Sequence, residues 1–142
     1  MNVAEPSSDL LGTVDLRIPS KPEWVAVARL AVAAIANRLP FSVEEIEDLK
    51  LAIAEACTIC IQQTPSSSAI AITCDAATEY LRVHVRDYRQ GTRPEAVPAK
   101  RPSMLAVEGL GIFLIQALMD VVEYKVDPQS GTELVMTKRV GA

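Results

Sequence analysis

Six groups of residues have types and spacings that could do chemistry. Glu55 and Ile59 stand one turn apart on a helical pattern, so a carboxylate and a hydrocarbon share one side. Asp87 ends an alternating apolar segment beside a long irregular stretch, where an aspartate either caps a turn or meets a ligand. Gly109-Leu110-Gly111 opens an apolar helical run. Glycines at a helix start let backbone N–H groups approach phosphate oxygens, or simply let the helix pack closely. Cys57-x-x-Cys60 could suggest metal or redox chemistry, but it falls on an apolar helix face without a second cysteine pair, which favours core packing. His84, the single histidine, lies on the polar side of a strand pattern, and no nucleophilic triad can be assembled around it. Arg86, Arg89, Arg93, Lys100 and Arg101 are read as solvated charges near the irregular stretch.

The elements that must position these residues follow from periodicity. Thr13 to Ile18 alternates, with Val14, Leu16 and Ile18 on one face of a strand. Ser20-Lys21-Pro22-Glu23 has capping-box spacing, and a helix to about Leu39 follows with a stripe of Trp24, Val27, Ala28, Ala31, Ala34 and Ile35. Pro40 stops it. Ser42-Val43-Glu44-Glu45 opens a second helix to about Gln63, with Ile46, Leu49, Ile53, Ala56, Cys57 and Cys60 facing the core. Its neighbouring stripe carries Asp48, Ala52, Glu55, Ile59 and Gln62.

Pro65 to Ser68 reads as a turn. Ile70, Ile72 and Cys74 alternate along one strand and Leu81, Val83 and Val85 along the next, joined by the short link Ala76-Ala77-Thr78. From Tyr88 to about Leu105 no pattern survives, and Pro94, Pro98 and Pro102 interrupt any regular element, as in a lid. A helix from Gly109 to about Asp120, a strand through Val122, Tyr124 and Val126, a turn over 127–131 and a strand from Glu133 to Arg139 complete the chain. The order β-α-α-β-β-lid-α-β-β predicts an α+β, two-layer α/β sandwich: a mixed, mostly antiparallel sheet with helices on one face. Residues 1–11 are expected to form a flexible tail and 12–142 one domain.

Length and composition agree with that reading. A chain of 142 residues can bury one continuous core. A net charge of −4 argues against a broad grip on nucleic acid. No apolar run approaches the ~20 residues of a membrane span, and the N-terminus lacks a secretory signal. Three cysteines in an ordinary composition fit a reducing compartment, so the expected location is the cytoplasm.

The segment Glu45-Ile46-Glu47-Asp48-Leu49-Lys50-Leu51-Ala52-Ile53-Ala54-Glu55-Ala56-Cys57-Thr58 resembles the N-box helix of the RsbW- and SpoIIAB-type anti-sigma factor serine kinases, members of the GHKL ATPase superfamily. Asp87, just before the lid, stands where that family has its D-x-G-x-G box, and Glu108-Gly109-Leu110-Gly111-Ile112-Phe113-Leu114-Ile115 resembles its second glycine box. The resemblance covers roughly residues 12–139. It implies a Bergerat-type ATP-binding fold, ATP and Mg²⁺ as cofactors, homodimerisation, a sigma factor as binding partner and a STAS-domain anti-anti-sigma protein as antagonist and phosphorylation substrate. By the same resemblance Glu55 is the catalytic glutamate that orients or deprotonates the attacking hydroxyl. Asp87 is the adenine acceptor, and Gly91, Gly109, Leu110 and Gly111 line the nucleotide.

Three positions depart from the pattern. Ile59 replaces the asparagine that supplies an oxygen to Mg²⁺, so no metal ligand is assigned. Arg89 replaces a glycine of the first box, and Glu108 replaces a glycine of the second. Together they touch the metal, adenine and phosphate contacts separately. The resulting expectation is an anti-sigma regulator that binds ATP with weak or absent kinase activity. An active MgATP-dependent serine kinase and a nucleotide-independent signalling module outside the sigma pathway are the alternatives.

Overall fold

The computed structural model describes residues 10–64, 69–87, 109–127 and 131–141. Strand β1 spans Leu10–Pro19, helix α1 Val25–Ala36, helix α2 Val43–Gln63, strand β2 Ala69–Ala77, strand β3 Tyr80–Asp87, helix α3 Gly109–Leu118, strand β4 Val121–Asp127 and strand β5 Gly131–Arg139. The five strands lie in the order β1-β2-β3-β5-β4, and every neighbouring pair is antiparallel. The expected sandwich is therefore present, with a sheet that is antiparallel throughout. The expected lid lies outside the described residues.

Register explains why one face is the core. Leu16, Ile72, Val85, Leu134 and Tyr124 stand in one transverse row across all five strands. Val14, Cys74, Val83, Met136 and Val122 form the next. Period-two alternation sends these side chains toward the helices and their neighbours outward. The outward face is polar: Thr13 Oγ1 donates to Asp75 at 3.0 Å, and Thr73 Oγ1 donates to Asp15 at 2.8 Å.

Helix α2 is the axis of the helical layer, packing between α1 and α3 and against β3 and β5. Its start is fixed by a capping box. The Glu45 N–H donates to Ser42 Oγ at 3.1 Å, and the Ser42 N–H donates to Glu45 Oε1 at 2.8 Å. Such a cap contributes about 1 kcal/mol. At the far side Lys138 Nζ donates to the Leu118 carbonyl at 2.6 Å, closing the C-terminus of α3, and lies 3.5 Å from Asp48 on α2. One cation therefore ties α3, β5 and α2 together.

Three local expectations need correction. The Ser20 capping box does not form: Lys21 is the extended N-cap of a 3-10 turn, Pro22–Trp24, and makes no side-chain cap. Ser20 belongs instead to the tight turn in which the Lys21 N–H donates to the Pro19 carbonyl. Helix α1 ends at Ala36, and its buried side is Ala28, Val32 and Ala36, leaving Trp24 43% and Val27 39% exposed. Small residues face α2, where they allow close helix approach. Strand β1 also begins at Leu10, three residues before the alternation at Thr13, so Leu10 and Leu11 of the expected tail belong to it; the pairing with β2 continues past a register shift between Leu10 and Gly12.

Candidate functional site

The site is built on α2. Glu55 and Ile59 project from the flank of that helix toward α3, and they meet Gly111. A Cβ added to Gly111 would lie 3.1 Å from Ile59 Cδ1 and 3.3 Å from Glu55 Oε1. The absence of a side chain at 111 is what lets the two helices approach there. Glu55 is half-buried, whereas Ile59 is 2% exposed. Of the stripe beside the expected core face, Ala52 and Ile59 are core, Asp48 and Glu55 are half-buried and Gln62 is exposed. Leu110, one residue before this contact, is exposed, and Gly109 is the first residue of α3. The backbone N–H groups of this first turn have no partners within the helix.

Asp87 forms the second half. It ends β3 on the core face, in the transverse row of Ile18 and Ile70, and is fully buried. A carboxylate in that row carries a desolvation cost that an apolar residue would not. Its Oδ1 accepts the Thr132 N–H at 2.9 Å. The thiol of Cys60, one residue beyond Ile59, lies close enough to the same carboxylate to feel its charge. Burial pushes the Cys60 thiol well above its ordinary range, and the Asp87 charge adds to the effect. Cys60 thus brings a thiol from α2, the helix of Glu55 and Ile59, beside Asp87.

Gly131 completes the Asp87 pocket. Its φ of +104° is one that side chains avoid, and a Cβ there would run into Asp87 Oδ1 and lie 2.7 Å from the Asp87 carbonyl oxygen. Thr132 follows, fully buried, and its Oγ1 has no hydrogen-bond partner among the described residues. Thr132 was not among the expected site residues, although the sequence carries a signal for it. Thr132, Leu134 and Met136 share one phase of β5, and a threonine leading an apolar row invites a question. The other expected site residue, Gly91, lies outside the described residues, as do Arg89 and Glu108.

The bland assignments find their places too. Cys57 and Cys74 are buried thiols pushed up to about 12 by desolvation. His84 sits on the outer sheet face with Nε2 3.8 Å from Asp75 Oδ2, away from Glu55 and Asp87. Among the described residues no group of three His, Cys, Asp or Glu could hold a metal ion. No helix among them is long and apolar enough to cross a membrane.

Comparison with known proteins shows which family has this fold. The family described as Histidine kinase-like ATPase domain matches residues 18–138. Serine-protein kinase RsbW of Halalkalibacterium halodurans is 36% identical over 135 residues, covering 89% of this chain and 82% of that protein. Serine-protein kinase RsbW of Bacillus subtilis (strain 168) is 31% identical over 136 residues, covering 88% and 84%. The protein of the same name in Bacillus cereus (strain Q1) is 34% identical over 138 residues, covering 89% and 84%. A match from the end of β1 to the end of β5, together with relatives that share most of their length with it, means that the chain belongs to the histidine kinase-like ATPase domain family.

Proposed function

We propose that this protein is an anti-sigma regulator that sequesters a sigma factor, is controlled by a STAS-domain antagonist, and binds ATP with kinase activity weak or lost. The observation that carries the reading is the pair on α2: Glu55 is kept beside Gly111, while Ile59 buries a hydrocarbon against the same glycine. The adenine half of the reading rests on three residues. Asp87 offers a carboxylate held by the Thr132 N–H, Thr132 offers a buried hydroxyl, and Gly131 lets the β5 backbone close on Asp87 where any side chain would collide. Bound ATP would supply the transferable phosphoryl group, and the N–H groups at the start of α3 suit its phosphates.

Phosphoryl transfer depends on positioning and charge stabilisation more than on covalent help from the protein. Glu55 can orient an incoming serine hydroxyl. Ile59 offers nothing to offset developing charge, and losing one such stabilising group typically costs about 10²–10³ in rate. The second reading, a fully active serine kinase, draws support from the retained Glu55–Gly111 contact and from the names of the relatives.

Partner binding would use surfaces away from this pocket. Strand β1 is a sheet edge, and Leu10, Leu11 and Val14 on it, with Trp24, Val27 and Leu30 nearby in sequence, are exposed. They are the proposed homodimer surface, in keeping with a cytoplasmic partner-switching role. Gel filtration of the protein with its own genome's sigma factor and STAS protein tests the reading. The expected result is a sigma complex that the STAS protein dissolves; no complex with either protein would favour a module outside the sigma pathway.

A further inference from the structure

The two halves of the site differ in what they can bind, and that difference has a consequence for magnesium. Mg²⁺ requires near-octahedral oxygen ligands at about 2.0–2.1 Å. At the position where the family places its ligand, this chain has a branched hydrocarbon that is 2% exposed. Ile59 is not turned aside to leave room. Its Cδ1 and Cγ1 lie 3.1 and 3.4 Å from the point where a Gly111 Cβ would be, so the side chain fills the gap between α2 and α3. Glu55 Oε1 lies near the same point, and the described residues contain no cluster of three metal-ligating side chains. A dication brought against Ile59 would lose part of its hydration without gaining a ligand. The surroundings of Ile59 therefore do not suit a protein-held Mg²⁺.

We propose that this site binds adenine nucleotides without Mg²⁺ as a protein-held cofactor: affinity resides in the base pocket formed by Asp87, Gly131 and Thr132, and the protein takes free ATP and MgATP alike. This rests on the reading of the Asp87 pocket as an adenine site. It adds that the chain works as a nucleotide-responsive binder in which metal and nucleotide are uncoupled. The Thr132 N–H holds the Asp87 carboxylate from β5 whether or not a metal is present.

The test is calorimetric titration of the full chain with ATP, once with excess Mg²⁺ and once with excess chelator, and with adenosine as a third ligand. The expected result is binding of ATP and adenosine, with ATP dissociation constants that differ by no more than about threefold between the two conditions. A larger tightening by Mg²⁺ would overturn the inference while leaving the adenine site standing. Failure of both ATP and adenosine to bind under either condition would overturn the adenine reading itself, and the inference with it.

Discussion

Three glycines allow the geometry of the Asp87 pocket to be tested by a graded series of alanine substitutions. Gly12 has no atom within 4 Å of an added Cβ and no positive φ, so Gly12→Ala removes backbone freedom from the unfolded chain and should stabilise by about 0.5 kcal/mol. Gly141 has φ +72° but the same open space, so Gly141→Ala isolates the conformational term, about 1 kcal/mol of destabilisation. Gly131 has both problems. Its φ of +104° costs about 1–3 kcal/mol for a side-chain-bearing residue. In addition, a Cβ 2.7 Å from the Asp87 carbonyl oxygen presses on backbone paired with Ile70 of β2, which cannot swing away as a side-chain tip could. Overpacking of that kind adds about 1–3 kcal/mol, so Gly131→Ala should destabilise by about 3–4 kcal/mol. Urea unfolding of the three variants measures the series, with an unchanged m-value as the check that the same transition is observed. If Gly131→Ala were no worse than Gly141→Ala, the close approach of Gly131 to Asp87 would be refuted.

Other expectations follow from the same contacts. Lys138→Met removes the donor that closes α3, and should destabilise by about 2 kcal/mol, whereas Asp48→Asn, at the longer contact, should cost less than about 1 kcal/mol by urea unfolding. Ile59→Asn puts an amide into a buried apolar gap and should lower stability by about 3 kcal/mol without metal; chemical denaturation with and without MgATP should recover part of that loss. Cys57 and Cys74 have folded-state values raised to about 12 from 9.0, so the unfolded chain releases those protons first. Stability contributed by the protonated thiols is fully present below about pH 9 and should fall between about pH 9 and 12, by up to about 1.4 kcal/mol per pH unit for each thiol. Unfolding curves at pH 8 and about pH 10 would show it, and a flat profile would contradict the burial of these groups.

Much of this arrangement is legible in the residues, and the exceptions have physical causes. Alternation places β2 and β3 because each has one buried face, so every second residue must be apolar. Ser42 and Glu45 announce α2 because their side chains form its first hydrogen bonds. Helix α1 hides its orientation because Val25 to Ala36 is apolar at all but one position, so hydrophobicity selects no side; residue size, which depends on the distance to α2, decides it. Glu55 and Gly111 are recognisable as members of motifs, but their contact exists only once α2 and α3 pack together. Thr132 is harder still to see. Its role comes from lying across the β3–β5 ladder from Asp87, 45 positions away, and strand order is not written in either segment. Cys60 reads as core from its phase alone, and that reading is incomplete because the residue opposite it happens to be a carboxylate.

The most direct test of the central claim is transfer of labelled γ-phosphate from ATP to the STAS protein, measured for the wild-type chain and Ile59→Asn with excess Mg²⁺. The account predicts little or no transfer by the wild type and a gain of at least about tenfold for the variant, since one oxygen ligand is returned to a site that still has Glu55. Rapid transfer by the wild type, unchanged or slowed by Ile59→Asn, would contradict it and would mark this chain as a working serine kinase.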